Sequence, residues 1–351
     1  MKTNFVKLRW LFTMLLFVTT MIMPTMMLAK SVDLKIPEGD GAGTPYKIGT
    51  AEELYWFAGL VNGTLPGVKK DLSANAILTD DIIVNTGVLD PNKDLVSGND
   101  FIEWIPIGKS SSDDDAYTGT FDGNGHTISG LYFNKSNSWY VGLFGCIGAE
   151  GKISNVGVSD SYFQSSNCPY IGGVCGSNSG ELQNCSNSST VIGKENEYRI
   201  GGVCGNNSGT IKSCYNTASV SGQYSVGGVC GDNYEGPITN CYYLSGTVAD
   251  GKGGIGGKDD ENGKAVEMSK DRFKSGEVAW LLNGSKSVST EESTLAWYQK
   301  LGENADAYPV LTSTGDNTVY GGYQHGSRVR FFSNTVQHST GECKLNCVKL
   351  Q

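Results

Sequence analysis

A mainly β chain wound as a right-handed parallel β-helix (β-solenoid), with small helical caps at both ends, is the fold class the sequence predicts. Three observations carry it. Four central segments align: Tyr-Val-Gly-Leu-Phe-Gly (140–145), Ile-Gly-Gly-Val-Cys-Gly (171–176 and again 200–205) and Val-Gly-Gly-Val-Cys-Gly (226–231), at a period of 26 to 31 residues. Each repeat holds two or three very short β-leaning runs, too little to bury its own apolar face, so the repeats must stack. Glycine, at 48 of 351 residues, is nearly twice its ordinary share of about 7% and lacks the Gly-X-Y period of collagen.

Stacked coils pair each strand with its counterpart in the next coil at about 4.8 Å, so equivalent residues form columns. Leu143, Val174, Val203 and Val229 form one, and Phe144, Cys175, Cys204 and Cys230 the next. The polar turn after each motif leads to Lys-Ile-Ser-Asn-Val (152–156), Glu-Leu-Gln-Asn-Cys (181–185), Thr-Ile-Lys-Ser-Cys (210–214) or Pro-Ile-Thr-Asn-Cys (237–241). These give an Ile153, Leu182, Ile211, Ile238 column and a Val156, Cys185, Cys214, Cys241 column. The three-residue offset between them breaks strict alternation and predicts a bend, where Asn155, Asn184, Ser213 and Asn240 stack as a polar ladder. A propeller blade needs about 40 residues and four longer strands per repeat, and a leucine-rich repeat needs leucines that are absent here.

The elements divide the chain at 1–29, 30–117, 118–256, 257–312 and 313–351. In the first segment Lys2, Lys7 and Arg9 precede the apolar run Trp10 to Val18, and the stretch closes on the small residue Ala29. That order is expected of a secretory signal peptide. Thr19, Thr20, Pro24 and Thr25 interrupt the run, against the single membrane span that is the alternative. Thr50 to Val61 is expected to be a capped amphipathic helix closing the amino-terminal end, and Asn75 to Val84 to supply early strands. Gly119 to Phe133 reads as a first coil of three strands joined by Asp-Gly-Asn-Gly and Ser-Gly turns. Ser269 to Asn283 reads as one helix ending on Asn-Gly, a carboxy-terminal cap. Residues 312–351 lack a clear period.

The Gly-Leu-Phe-Gly and Gly-Val-Cys-Gly cores resemble the GLUG motif of bacterial secreted and surface proteins. Trp104 to Gly108 with Phe121 to Leu131 is similar to the stretch preceding such motifs, and Phe273 to Asn283, Trp297 to Gly302 and Tyr308 to Leu311 are similar to the region that follows them. The resemblance covers roughly residues 45–322. It implies a bacterial, right-handed β-helix-like region on an exported, adhesin-like protein, and it transfers no catalytic residue.

Charge excludes one function class. The net charge is −9, and removal of the signal leaves −12, which argues against an electrostatic nucleic-acid binder. Chemistry is thinly represented. The three histidines, His126, His325 and His338, offer no base beside a nucleophile, and His126 reads as a turn or strand-edge residue. Gly251-Lys-Gly-Gly-Ile-Gly256 matches a dinucleotide fingerprint formally, but no helix follows, so a loop is expected. Gly108-Lys-Ser110 lacks the first glycine of a phosphate loop. Asp113, Asp114, Asp115 and Asp122 are the carboxylates to consider for polysaccharide chemistry or calcium. The run Ser110 to Asp115 reads as a solvated loop tip. His338, Cys343 and Cys347 form a loose zinc-like cluster, but a fourth ligand is missing, so a disordered tail or a Cys343–Cys347 or intermolecular disulfide is expected instead. Ten cysteines in an exported chain suggest disulfides, yet three per column cannot pair fully within it, so mostly reduced, buried thiols are expected, with cross-pairing between columns as the alternative.

The expectation is therefore a non-enzymatic protein, secreted or at the cell surface, without cofactor or metal. It presents a β-helix face to a glycan or a cell-surface protein, with no nucleic-acid partner and no transmembrane segment after signal removal. Tyr162, Phe163, Tyr215, Tyr234, Tyr242 and Tyr243, interleaved with Asn and Ser, are the candidate binding residues. The alternatives are a polysaccharide-active β-helix lyase or glycoside hydrolase, with acids converging in one groove, and a purely structural spacer.

Overall fold

A computed structural model describes residues 32–333 apart from 111, 113, 168, 195–197, 250–251, 257–263, 286–294 and 322–330. The expected signal peptide, Asp113, His325, His338, Cys343 and Cys347 lie outside the described residues. The chain winds as a parallel β-solenoid of about seven turns. Its first sheet stacks Tyr46–Ile48, Ala76–Leu78, Thr120–Asp122, Lys152–Ser154, Glu181–Gln183, Thr210–Lys212 and Ile238–Thr239 in sequence order. The second runs from Ile82–Ile83 through Thr127–Ser129, Gly157–Ser166, Ser186–Gly193, Tyr215–Asn216 and Cys241–Leu244 to Ala265–Met268. Third and fourth sheets of four strands each are built from the repeated motif, with Tyr170–Gly172 and Cys175–Asn178 as examples. All four sheets are parallel, and equivalent residues pair from coil to coil.

The columns follow from that register. Cys175 pairs with Phe144 and Cys204, Cys204 with Cys230, and Leu182 with Ile153 and Ile211. The Val174 amide donates to Val203 O at 3.0 Å and that of Val203 to Val229 O at 2.8 Å. All of these side chains are fully buried. Each large aliphatic one contributes about 1.5–3 kcal/mol by leaving water. The expected bend is present: Asn155, Asn184, Ser213 and Asn240 have φ of 54°, 53°, 53° and 51°, turning each coil from the first sheet into the second. Asn tolerates this left-handed conformation better than other β-carbon-bearing residues. The polar ladder is partial. Asn184 Nδ2 donates to Asn155 Oδ1 and Asn155 Nδ2 to Asp122 Oδ1, but Ser213 Oγ turns away to Leu282 O.

Two further ladders were not legible in the sequence. Asn178 donates to Asn207 and Asn207 to Asn233, both at 2.8 Å, and Asn187 donates to Asn216 at 2.9 Å. These amides are buried, and each also bonds to nearby backbone. Buried polar groups of this kind are tolerable because they are hydrogen-bonded.

The motif glycines are explained by space. Gly176, Gly205 and Gly231 line up so that a β-carbon on each would lie 2.8, 2.6 and 2.5 Å from the carbonyl oxygen of the glycine one coil earlier. The second glycines of the motif, 173, 202 and 228, leave room for the inward side chains of Asn187, Asn216 and Tyr243. The column continues beyond the four aligned segments. Ile107 pairs with Phe144 at one end and Ile255 with Cys230 at the other. Thus the stretch ending at Gly256, expected as a loop, contributes a further rung: Gly228 N donates to Gly253 O and Val229 N to Gly254 O.

Helix α1, Ala51–Asn62, is capped by Thr50, whose side chain accepts from Glu53 N, and by left-handed Gly63. Leu54, Phe57, Leu60 and Val61 enter the main core, where Phe57 meets Tyr117 and Phe121. The expected single helix at 269–283 is two, α2 at Lys270–Lys274 and α3 at Glu277–Leu282, because Gly276 takes φ 85° between them. Both pack with Trp297 in a satellite core against Tyr215 and Tyr242 of the second sheet. The seven described cysteines are buried thiols outside any disulfide. Burial pushes the thiols of Cys204, Cys214, Cys230 and Cys241 well above the ordinary 9.0.

Candidate functional site

Strand alternation on the second sheet sends Ile128, Val158, Asn187 and Asn216 inward. Their neighbours face out in two columns. One is Thr127, Gly157, Ser186 and Tyr215, and the other is Ser129, Ser159, Ser188 and Thr217. The outer wall is consequently small and hydroxyl-rich over three coils and becomes aromatic at the fourth.

Residues 295–317 return along this wall as an arm. At one end the Tyr215 hydroxyl donates to Pro309 O at 2.6 Å and Trp297 Nε1 to Ser213 O at 3.0 Å. Tyr215 also meets Trp297 and Phe273, with ring centroids 5.1 and 5.8 Å apart. At the other end Thr312 Oγ1 donates to Gly125 O at 3.2 Å. Asn283 holds the start of the arm by donating to Trp297 O and accepting from Ala296 N and Trp297 N. Between the two attachments wall and arm enclose a cleft of about 850 Å³, within the range of about 300–1,000 Å³ typical of ligand sites.

The cleft carries three carboxylates and one lysine, and all four are engaged. Lys300 Nζ lies 3.4 Å from Asp316 Oδ2, and the Lys300 amide donates to Asp306 Oδ2 at 2.7 Å. The Thr314 hydroxyl, then Lys300, hold the Asp316 carboxyl below its ordinary range. Asp81 Oδ1 accepts from Thr127 N at 2.8 Å and sits 3.5 Å from His126 Nδ1. Burial raises the Tyr215 hydroxyl's pKa, so it stays a neutral donor.

The six candidate binding residues are mostly elsewhere than a binding face. Phe163 is fully buried in the main core, and Tyr243 lies inside over Gly228. Tyr162 is covered by Val88 and Leu89, its hydroxyl donating to Gln164 Oε1. Tyr242, its pKa pushed up to about 12 by burial, and Tyr215 are covered by the carboxy-terminal helices and arm. Tyr234 alone of the six is exposed, at 72%. The covering segments are remote in sequence, which local patterning does not register. Of the acids, Asp114 and Asp115 lie beside Lys70, and Asp122 accepts from Asn124 N and Asn155 Nδ2. They are thus not gathered into a site. Among the described residues no group of three or more His, Cys, Asp or Glu could hold a metal ion.

Exposed aromatics are instead found at the entry to the third sheet, where Trp139, Tyr198 and Tyr224 are 65%, 51% and 43% accessible. Tyr198 stacks on Tyr224, Tyr140 stacks on Tyr170, and Arg199 covers the other side of that pair while bonding Asp232. Their constant position just before the repeated motif was the signal available in the sequence.

No family model matches the chain. Over 84 residues, 24% of this chain, it is 38% identical to halomucin of Haloquadratum walsbyi. Over 78 residues, 22% of this chain, it is 33% identical to a candidate Gly-rich membrane protein of Evansella cellulosilytica. The matched stretches span 1% and 9% of those relatives. A solved structure of a candidate immunoglobulin A1 protease from Bacteroides ovatus superposes with a TM-score of 0.43 at 17% identity, covering 80% of this chain and 95% of that one.

Proposed function

We propose that this is an exported, surface-displayed binding protein of adhesin-like type, related to the GLUG-motif proteins, whose solenoid holds a glycan in the cleft between the second sheet and the arm. The single observation that carries the reading is that cleft: concave, walled by hydroxyls, closed by aromatic residues at one end and fixed on a rigid stack. The names of the two relatives fit a surface location, and among the described residues no helix is long and apolar enough to cross a membrane. Binding without bond cleavage is the favoured mode. A glycosidase holds two carboxylates across one bond, one of them kept protonated, whereas the cleft's carboxylates are tied to Lys300, Thr314 and backbone amides.

A glycan array probed with the full chain, followed by reducing-end assays on every glycan bound, tests this. Retention of at least one glycan class with no new reducing ends is the expected result. New reducing ends would establish the polysaccharide-active alternative, and no retention at high protein density would favour the spacer.

A further inference from the structure

Resting on that reading, we infer that the cleft takes a neutral, unbranched oligosaccharide laid parallel to the solenoid axis, with Gly157 as the floor on which it rests. Three features select this ligand.

Direction comes from the wall. Thr127, Gly157, Ser186 and Tyr215 succeed one another at the rung spacing, as do Ser159, Ser188 and Thr217. Four rungs extend about 14 Å along the axis, and an extended sugar chain advances by a similar step per unit. The hydroxyls of Thr127, Ser159, Ser188 and Thr217 have no side-chain hydrogen-bond partner among the described residues, which leaves them to a ligand. Lack of branching comes from the arm, pinned on both sides of the cleft by the Tyr215–Pro309 and Thr312–Gly125 hydrogen bonds. A chain beneath it can run along the wall but cannot carry bulk through the roof.

Charge selects neutrality. Asp81, Asp306 and Asp316 oppose Lys300 alone, and Lys300 already faces Asp316. A uronate or sulfated chain would meet a net negative lining.

Gly157 is the one position in its column without a side chain. A β-carbon there would lie 3.1 Å from Thr127 Oγ1 and 3.2 Å from Ser186 Oγ, both movable hydroxyls. Its φ is not among the positive ones. A longer side chain can therefore be accepted by the fold while filling the floor of the cleft.

Titration calorimetry on the full chain tests the inference. The probes are neutral hexasaccharides of glucose, mannose, galactose, xylose and N-acetylglucosamine, with hexagalacturonate as the anionic counterpart. At least one neutral hexamer should bind ten-fold or more tightly than hexagalacturonate. Gly157→Gln should weaken it at least ten-fold with an unchanged denaturation midpoint, and Ile36→Ala, on exposed surface outside the cleft lining, should leave it unchanged. Should Gly157→Gln fold poorly, Ser188→Gln at the next coil serves the same purpose. Preference for hexagalacturonate, or wild-type affinity in both cleft variants, would overturn this inference while leaving glycan binding intact. Absence of binding to every probe and to the array would overturn both.

Discussion

The junction of the third and fourth sheets and the outer wall of the second sheet are both built around glycine, and glycine does different work in each. At the junction, Gly176, Gly205 and Gly231 bring backbone onto backbone, with no space for a β-carbon. On the wall, Gly157 faces only the side chains of Thr127 and Ser186, with a cleft beyond. The first use closes the coil. The second leaves room outside it. Identical residues thus encode fold in one place and a candidate binding surface in the other, and only the neighbours separate the two.

The largest expected effect breaks this contrast if it fails. Gly205→Ala places a methyl 2.6 Å from Gly176 O and 2.7 Å from Ile171 N, so urea denaturation should show a loss of about 3 kcal/mol or more. Gly157→Ala should stay within about 1 kcal/mol of the parent, since the lost chain entropy of glycine offsets a small adjustment. Equal losses would mean that the wall is as closely packed as the junction.

Next in size is the buried amide ladder beside the junction. Asn207→Leu strips Asn233 Oδ1 and Gly209 O of their donor and should cost about 2–4 kcal/mol. Ser188→Ala on the wall should cost within about 0.5 kcal/mol. Comparable midpoints for the two variants would contradict the ladder.

The thiol columns give a pH test. Their folded pKa values are raised by burial above 9.0, so the unfolded chain releases protons that the folded chain retains. The associated stability is complete below pH 9 and falls as pH rises beyond it, by about 1.4 kcal/mol per pH unit for each thiol while it remains protonated in the fold. Denaturation midpoints between pH 8 and 10.5 should decline accordingly and flatten when the column cysteines are replaced by valine. A decline that survives replacement would assign it to other groups. A further small effect is expected at the junction's outer edge, where Arg199→Ala breaks a part-exposed pair with Asp232. It should cost less than about 1 kcal/mol, shrinking further in high salt.

Stacking, the column partners and the bend at Asn155, Asn184, Ser213 and Asn240 were legible in the sequence because each depends on residues recurring at one period. Val174, Val203 and Val229 announce themselves in this way. What escaped was non-periodic or inward against type. Asn178 and Asn187 look like turn residues, yet are buried because hydrogen-bond partners recur with them. Gly253 to Gly256 lacks the valine and cysteine of its relatives and was hidden as a rung. Tyr215 and Tyr242 alternate correctly toward the outside of the stack, but α2, α3 and the arm that cover them come from residues 270–282 and 295–317. Nothing local to a tyrosine records such a cover, and the cleft exists only because of it.

The claim on which the wall, the junction and the cleft all depend is that consecutive repeats lie directly on one another in register. Amide-to-amide nuclear Overhauser effects in deuterated protein test it most directly, since stacked parallel strands are separated by about 4.8 Å. Cross-peaks between Val174 and Val203, and between Val203 and Val229, are the predicted result. Cross-peaks confined to residues within each repeat would contradict it.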